Sequence, residues 1–439
     1  MKASQGYRTL FVTQLCPYPA RGGGAMRVWQ NINVLSRYGK VALFSVFKGA
    51  RPELPLVDPA LTHPALTHPA PTHPAQIDQG HHYDIGAPQR SQREKIVRRL
   101  GWLRPGGHPR ADWLYTQPAA QQLQSLIQQF QPTLIICAEI WLYRYLPILR
   151  SAGCPVILDN HNVEGDADRF RPPSAQPSPS GLAIVQQRLA LQNTLSKVRH
   201  IERHWLQQAD QIWACSPTDR QLLKKLYPQV SASLQIVPNG IDPSVYAACR
   251  TSRLKPSTQL IPASTPTLLF PGRFSYPPNA EAAEMLIGQI YPVLKQRQPS
   301  CQLLLVGIDP TPQMIAAAAD PDIVVTGEVA DVRPYLATAS VMGVPLQSGS
   351  GTRLKLLEAF AAGCPVVSTP KGAEGLAVAD GQQLYLRSTP AAIAAAVLDL
   401  WEHPDQGQRL AQRAYECLLQ DYAWSAVATR VEAALAGLS

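Results

Sequence analysis

Short apolar runs rich in branched side chains alternate along this chain with longer segments whose apolar positions recur at helical spacing. Residues 9–15, 41–46, 133–137, 155–158, 211–215 and 234–237 read as strands of a first half, and residues 267–270, 302–306, 323–326, 341–344 and 365–368 as strands of a second. Nearly continuous hydrophobic strands separated by helices predict parallel sheets covered on both faces. The expected fold class is α/β, with two doubly wound, Rossmann-like domains and ligands at the carboxyl ends of their strands. Periodicity weakens over residues 243–266, which read as a linker. A first domain over 1–242 and a second over 267–421 then face each other across a cleft. Residues 422–439 again have helical spacing and, by fold analogy, cross back to brace the first domain.

At 439 residues the chain exceeds one core, and its 45% hydrophobic content is that of a globular protein. No run reaches the roughly 18 apolar residues needed to span a bilayer, and the start MKASQGYRTLFVTQL lacks a signal-peptide core, so a cytoplasmic protein is expected. The eight cysteines are scattered without a C-x-x-C and read as buried thiols. Residues 55–75, with three T-H-P units, are too polar and stiff to join a core and read as a disordered surface insertion; residues 171–180 read as another exposed loop.

Charge divides the halves. The net charge is +9, but residues 1–250 hold 27 Lys/Arg against 15 Asp/Glu, 27 − 15 = +12, which leaves −3 for the remainder. A basic half attracts an anionic acceptor, a membrane surface or nucleic acid; no nucleic-acid-binding signature accompanies it, so nucleic acid is not expected as a partner. Residues 91–103, SQREKIVRRLGWL, set Ile96, Val97, Leu100 and Leu103 on one helical face beside four basic residues, which suits peripheral contact with an anionic membrane or an ordinary surface helix.

The chemistry concentrates in residues 345–369, PLQSGSGTRLKLLEAFAAGCPVVST. Gly349 and Gly351, flanking Ser350, suit the φ > 0 turns that point backbone N–H groups inward, and Thr352 is placed to cap the following helix. An anion there meets amide donors and the positive end of a helix dipole. Arg353 and Lys355 add cationic charge in the first turn, and Glu358, about one and a half turns in, is placed to reach ribose hydroxyls. The competing reading is an ordinary Gly-rich turn before an amphipathic helix. Gly22, Gly23 and Gly24 follow the first strand and let backbone approach a ligand; Arg27, one turn later, either reaches the same anion or is simply solvated. His161 follows the apolar strand PVILD, and Arg273 ends another strand, where its fixed charge suits a departing diphosphate.

Seven landmarks in order, PYPARGGGAMR (17–27), HNVEG (161–165), ADQIWACS (209–216), VPNGID (237–242), PGRFSYPPNAEA (271–282), TGEVADVRPYL (326–336) and the GSGTRLKLLEAFAAGCPVVST stretch, resemble the GT-B-fold glycosyltransferases. The likeness is greatest to the retaining glycosyltransferase family 4 and to bacterial exopolysaccharide and exosortase-associated sugar transferases. It implies a hexosyltransferase moving sugar from a nucleoside diphosphate sugar to a carbohydrate or lipid-linked acceptor hydroxyl, with retention; the lack of a D-x-D carboxylate pair in a plausible metal-binding loop fits an enzyme with no metal, and no cofactor is expected. By resemblance, Gly23 and Gly24 contact donor phosphate or acceptor, His161 orients the transferred sugar, and Gly327 and Val329 lie against the base.

Two departures stand out. The family's lysine about five residues after Arg273 is absent from Pro277, Pro278 and Asn279, leaving Arg353 or Lys355 to supply that charge. The glutamate eight positions before Glu358 is replaced by Ser350. A sugar-nucleotide epimerase of similar fold, or a catalytically silent nucleotide-sugar-binding protein, are the alternatives.

Overall fold

The computed structural model describes residues 6–18, 22–49, 77–86, 107–166, 181–253, 265–349, 351 and 353–438. The insertion at 55–75, the basic segment 91–103, the loop 171–180, Ser350 and Thr352 lie outside the described residues.

Two parallel sheets organise the chain. The first holds β1 (Tyr7–Thr13), β2 (Gly39–Phe47), β3 (Gln79–Asp84), β4 (Leu134–Ala138), β5 (Val156–Asn160), β6 (Gln211–Ala214) and β7 (Ser233–Ile236), in the order β3-β2-β1-β4-β5-β6-β7. The second holds β8 (Thr267–Pro271), β9 (Gln302–Val306), β10 (Ile323–Val325), β11 (Val341–Val344), β12 (Val366–Ser368) and β13 (Tyr385–Leu386), in the order β10-β9-β8-β11-β12-β13. Every strand expected from the sequence is present within a residue or two. The edge strands β3 and β13 were not legible: QGHHYD has no apolar alternation, and β13 is a two-residue pairing.

Strand alternation sends Leu10 and Val12 to one face of the first sheet and Phe11 to the other, and each face has its own core. The face bearing Phe11 is covered by helix α1 (Gly23–Leu35) and, from the far end of the chain, by α4 (Trp424–Ala436), whose Val427, Val431 and Leu435 pack with Ile32 and Trp213. Two further helices matter below, α2 (Gly181–Gln208) and α3 (Leu354–Ala362).

The crossing between domains is compact. Ile241 N–H donates to Tyr422 O at 2.9 Å and Trp424 N–H to Ile241 O at 3.1 Å. Residues expected as the start of a linker are instead a short 3-10 turn, Pro243–Tyr246, and a helix, Ala247–Arg253, whose Tyr246 and Cys249 are buried in the second core. All eight cysteines are free thiols, six of them buried. Among the described residues no helix is long and apolar enough to cross a membrane.

One buried ion pair joins distant parts of the first domain. Arg27 of α1 donates from Nε and Nη2 to Asp159 Oδ1 of β5, at 2.8 and 2.5 Å, and from Nη1 to Val237 O and Asn239 Oδ1 at 2.7 and 3.0 Å. Asn31 Nδ2 donates to Asp159 Oδ2 at 2.9 Å. Neither expectation for Arg27 survives: it meets no solvent and no cleft anion, because its fork is filled by protein acceptors. Burial by itself would raise the Asp159 carboxyl, but Arg27 and then His161 outweigh it and hold the group at about 2. Burial would lower His161, but the Asp159 and Glu139 carboxylates carry it to about 9.

Replacing Asp159 with Asn leaves Arg27 buried without its counter-charge, and urea denaturation should show a loss of about 3–5 kcal/mol. Asp159, depressed on folding, stabilises fully above the ordinary carboxyl value of about 4 and loses that contribution as pH falls toward 2. His161, raised on folding, stabilises fully below about 6.5 and loses its contribution as pH rises through 9. Melting temperature against pH should fall on both sides, and His161→Gln should remove the alkaline limb.

Candidate active site

Each sheet reverses its strand order once, between β1 and β4 in the first and between β8 and β11 in the second. The crevice beyond the carboxyl ends at such a reversal is the natural ligand position in doubly wound sheets. Here the two crevices face each other across the cleft: a Cβ on Gly23, the first residue of α1, would lie 3.0 Å from Leu354 Cδ1, at the first residue of α3, and one on Gly351 would lie 2.5 Å from Asn162 Oδ1. The starts of α1 and α3 therefore converge, and both helix dipoles present their positive ends to the same space.

On the second-domain side, the loop after β11 turns at Gly349 and Gly351, with φ of 96° and 83°, and enters α3. The helix begins at Leu354 with Arg353 as its N-cap; the Arg353 side chain makes no cap bond, and its carbonyl accepts from the Leu356 amide at 2.9 Å. Arg353 is buried and folds back over the loop, with Nη2 3.4 Å from Ser348 O. Half-buried Lys355 donates from Nζ to Asn279 Oδ1 at 3.0 Å and lies 4.1 Å above the Phe270 ring. Asn279 Nδ2 donates in turn to Arg273 O at 2.9 Å, which ties the loop after β8 to the helix after β11. Burial lowers the Lys355 ammonium to about 7; Arg353 pushes the same way and Glu358 opposes. Glu358 Oε1 accepts from Tyr246 O–H at 3.2 Å, so the residue expected at the ribose is braced by the segment entering this domain.

The strand before Arg273 ends at Pro271, and the Arg273 side chain is 65% exposed, with Nη1 3.9 Å from the less open Asp309. Its backbone, not its guanidinium, joins the cluster, and Lys355 supplies the positive charge beside Asn279. Gly327 has φ 68° and Val329 is partly buried against the second core; both follow the edge strand β10, two strands from β8.

On the first-domain side, Gly24 packs where a Cβ would lie 2.9 Å from Leu15 Cδ1 and 3.5 Å from His161 Nδ1. His161 is buried between two carboxylates, Nε2 3.3 Å from Asp159 Oδ2 and Nδ1 3.4 Å from Glu139 Oε1. Its loop is pinned from α2: Glu202 accepts from the Glu164 and Gly165 amides, each at 2.9 Å, and from Tyr227 O–H at 2.6 Å. Sequence reasoning missed Asp159, Glu139 and Asn279. For the first two the signal was present: a single carboxylate at the carboxyl end of a buried apolar strand.

The chain is similar to known proteins in both halves. A Glycosyltransferase Family 4 model matches residues 73–245, and a Glycosyl transferases group 1 model matches residues 265–403. Glycogen synthase from Mycobacterium tuberculosis is 27% identical over 247 residues, 54% of this chain, which spans 56% of that relative's length. Among solved structures, sucrose-phosphate synthase from Thermosynechococcus elongatus superposes with TM-score 0.67 at 17% identity over 98% of both chains. HepE from Anabaena, solved with UDP and glucose, gives 0.59 at 16% identity over 98% of this chain and 99% of its own, and the lipopolysaccharide glycosyltransferase WaaG 0.58 at 14% over 97% and 98%. These low identities speak to the fold, the family models to the chemistry. With one family match on each Rossmann-like domain and a two-sheet architecture shared along the whole length, the chain is a GT-B glycosyltransferase resembling family 4.

Proposed function

We propose that this glycosyltransferase moves a hexose-type sugar from a nucleoside diphosphate sugar to a carbohydrate or lipid-linked hydroxyl, with retention and without a metal. The observation that carries the reading is the meeting of two helix N-termini with Arg353 and Lys355 at one point of the cleft, with Glu358 one turn deeper on α3. Helix N-termini and cations suit a diphosphate, and a carboxylate beyond them suits ribose hydroxyls. Retention draws its support from the family 4 match.

In this reading the bond from the anomeric carbon to the donor phosphate breaks, and charge builds on the departing diphosphate beside Lys355, Arg353 and the helix ends. The acceptor oxygen bonds to the anomeric carbon and sheds its proton. A charged His161, both ring nitrogens facing carboxylates, is a poor proton acceptor. In this reading an oxygen of the leaving diphosphate takes the proton. His161 contributes positive charge and orientation on the sugar side, and contact between the domains excludes water.

The direct test is incubation with UDP-, GDP- and ADP-sugars and a panel of hydroxyl acceptors, scoring nucleotide release and glycosylated product. Nucleotide binding without turnover of any pair would count against transfer, and conversion of the donor without an acceptor would point to epimerisation. Glu358→Ala should weaken nucleotide binding about tenfold, roughly 1.4 kcal/mol, while leaving inorganic diphosphate binding intact. Nucleotide affinity should fall as pH rises above about 7, because the Lys355 ammonium loses its charge; calorimetry on Lys355→Met should give weaker binding with that pH dependence flattened.

A further inference from the structure

Glu139 follows β4 at the strand reversal of the first sheet, so it stands in the first domain's crevice. Its backbone is turned to φ 67°, ψ 151°, a region that glycine enters freely and other residues occupy only under strain. Two other described non-glycine residues have positive φ, and one of them, Gln131, is an ordinary left-handed helix cap. A glycine would make the same turn at no cost. What glutamate adds is a carboxylate, and that carboxylate is well placed.

The Glu139 side chain is largely buried, 13% exposed. Its Oε1 faces His161 Nδ1 at 3.4 Å, and its Oε2 faces Arg110 Nη2 at 3.5 Å. Arg110 is half-exposed and stacks 4.8 Å over the Trp141 ring, so it closes the outer side of the carboxylate. The Glu139 N–H donates to Asp159 O at 3.0 Å, which registers this turn against the end of β5, where the carboxylate facing the other imidazole nitrogen originates. The charged groups around the imidazole are thus Asp159, backed by Arg27, on one side and Glu139, backed by Arg110, on the other. Neither ring nitrogen makes a well-angled hydrogen bond to its carboxylate and both are shut off from solvent, so the ring is held in place by charge.

We propose that Glu139 is a further positioning residue of the transfer site, its strained backbone maintained so that its carboxylate holds the His161 ring toward the crevice. The inference rests on the transferase reading given above, but its central measurement does not need a substrate. In nucleotide-free protein, the His161 imidazole is followed by NMR against pH, with its signal assigned by loss in His161→Gln. Glu139→Gln, which keeps the backbone and removes the charge, should lower the His161 midpoint by about one pH unit. With UDP and UDP-glucose as probes, Glu139→Gln should leave UDP affinity unchanged and slow UDP release from UDP-glucose roughly ten- to a hundredfold, and Glu139→Asp should restore part of the rate. Glu139→Gly, freed of strain, should melt no lower than wild type and be equally slow.

An unchanged His161 midpoint in Glu139→Gln overturns the proposal, as does a Glu139→Gly or Glu139→Gln enzyme that turns over like wild type. If the glycine variant does not fold, the glutamine variant decides. If wild type releases no UDP from UDP-glucose, that failure belongs to the choice of donor or to the transferase reading, and the His161 midpoint alone decides for Glu139.

Discussion

Arg27 and Asp159 are 132 residues apart in sequence and share one buried contact, and the first domain is arranged around it. The guanidinium is planar and always charged, so five donors in a fixed fork need acceptors from several directions. They come from β5, from the Val237 carbonyl and from Asn239, which fixes α1, the middle of the sheet and the exit toward the second domain relative to one another. The other Asp159 oxygen, which also accepts from Asn31, faces His161. A buried pair of this kind gains little net stability over a hydrophobic substitute but strongly penalises any arrangement that separates its partners. Its effect is on specificity: the side chain facing the cleft is aimed by a group whose own position is not negotiable.

The two sides of the cleft are built from the same plan with opposite chemistry. Each uses the reversal of a doubly wound sheet, and each places a helix start there. The first domain contributes glycines at its helix start and carboxylates deeper in, which hold an imidazolium. The second contributes amides and cations at its helix start, with Glu358 behind them. An elongated ligand with an anionic centre, a sugar on one flank and a nucleoside on the other fits this ordering. Gly23 and Gly351 matter because side chains there would separate Leu354 and Asn162 from their neighbours across the cleft.

Much of this was legible in the sequence, for physical reasons. Central parallel strands are buried on both faces, so β4, β5 and β9 read as apolar runs, whereas the edge strand β3 carries QGHHYD and leaves no hydrophobic signature. Glycines, cations and Glu358 around residues 349–358 were legible because loop and helix are contiguous. What could not be read depended on partners brought from elsewhere. The lowered Lys355 ammonium comes from burial against distant elements together with Arg353, the burial of Arg27 from Asp159, and the charge on His161 from Asp159 and from Glu139 one strand earlier. At Arg273 the sequence placed the end of the strand two residues too late, since it stops at Pro271.

The covering of the first sheet by α4 has a consequence for how the molecule comes into being. Val427, Val431 and Leu435 complete a core whose other members lie between Phe11 and Val237, and the entire second domain is encoded between them. During synthesis the first domain emerges early yet keeps one apolar face covered by α1 alone while some two hundred more residues are made, at roughly 5–20 residues per second. The second domain, whose core is drawn from Ile241 to Tyr422, can close on itself before α4 appears. The half made first is therefore finished last, and for that interval its part-covered face is the part of the nascent chain most in need of a chaperone.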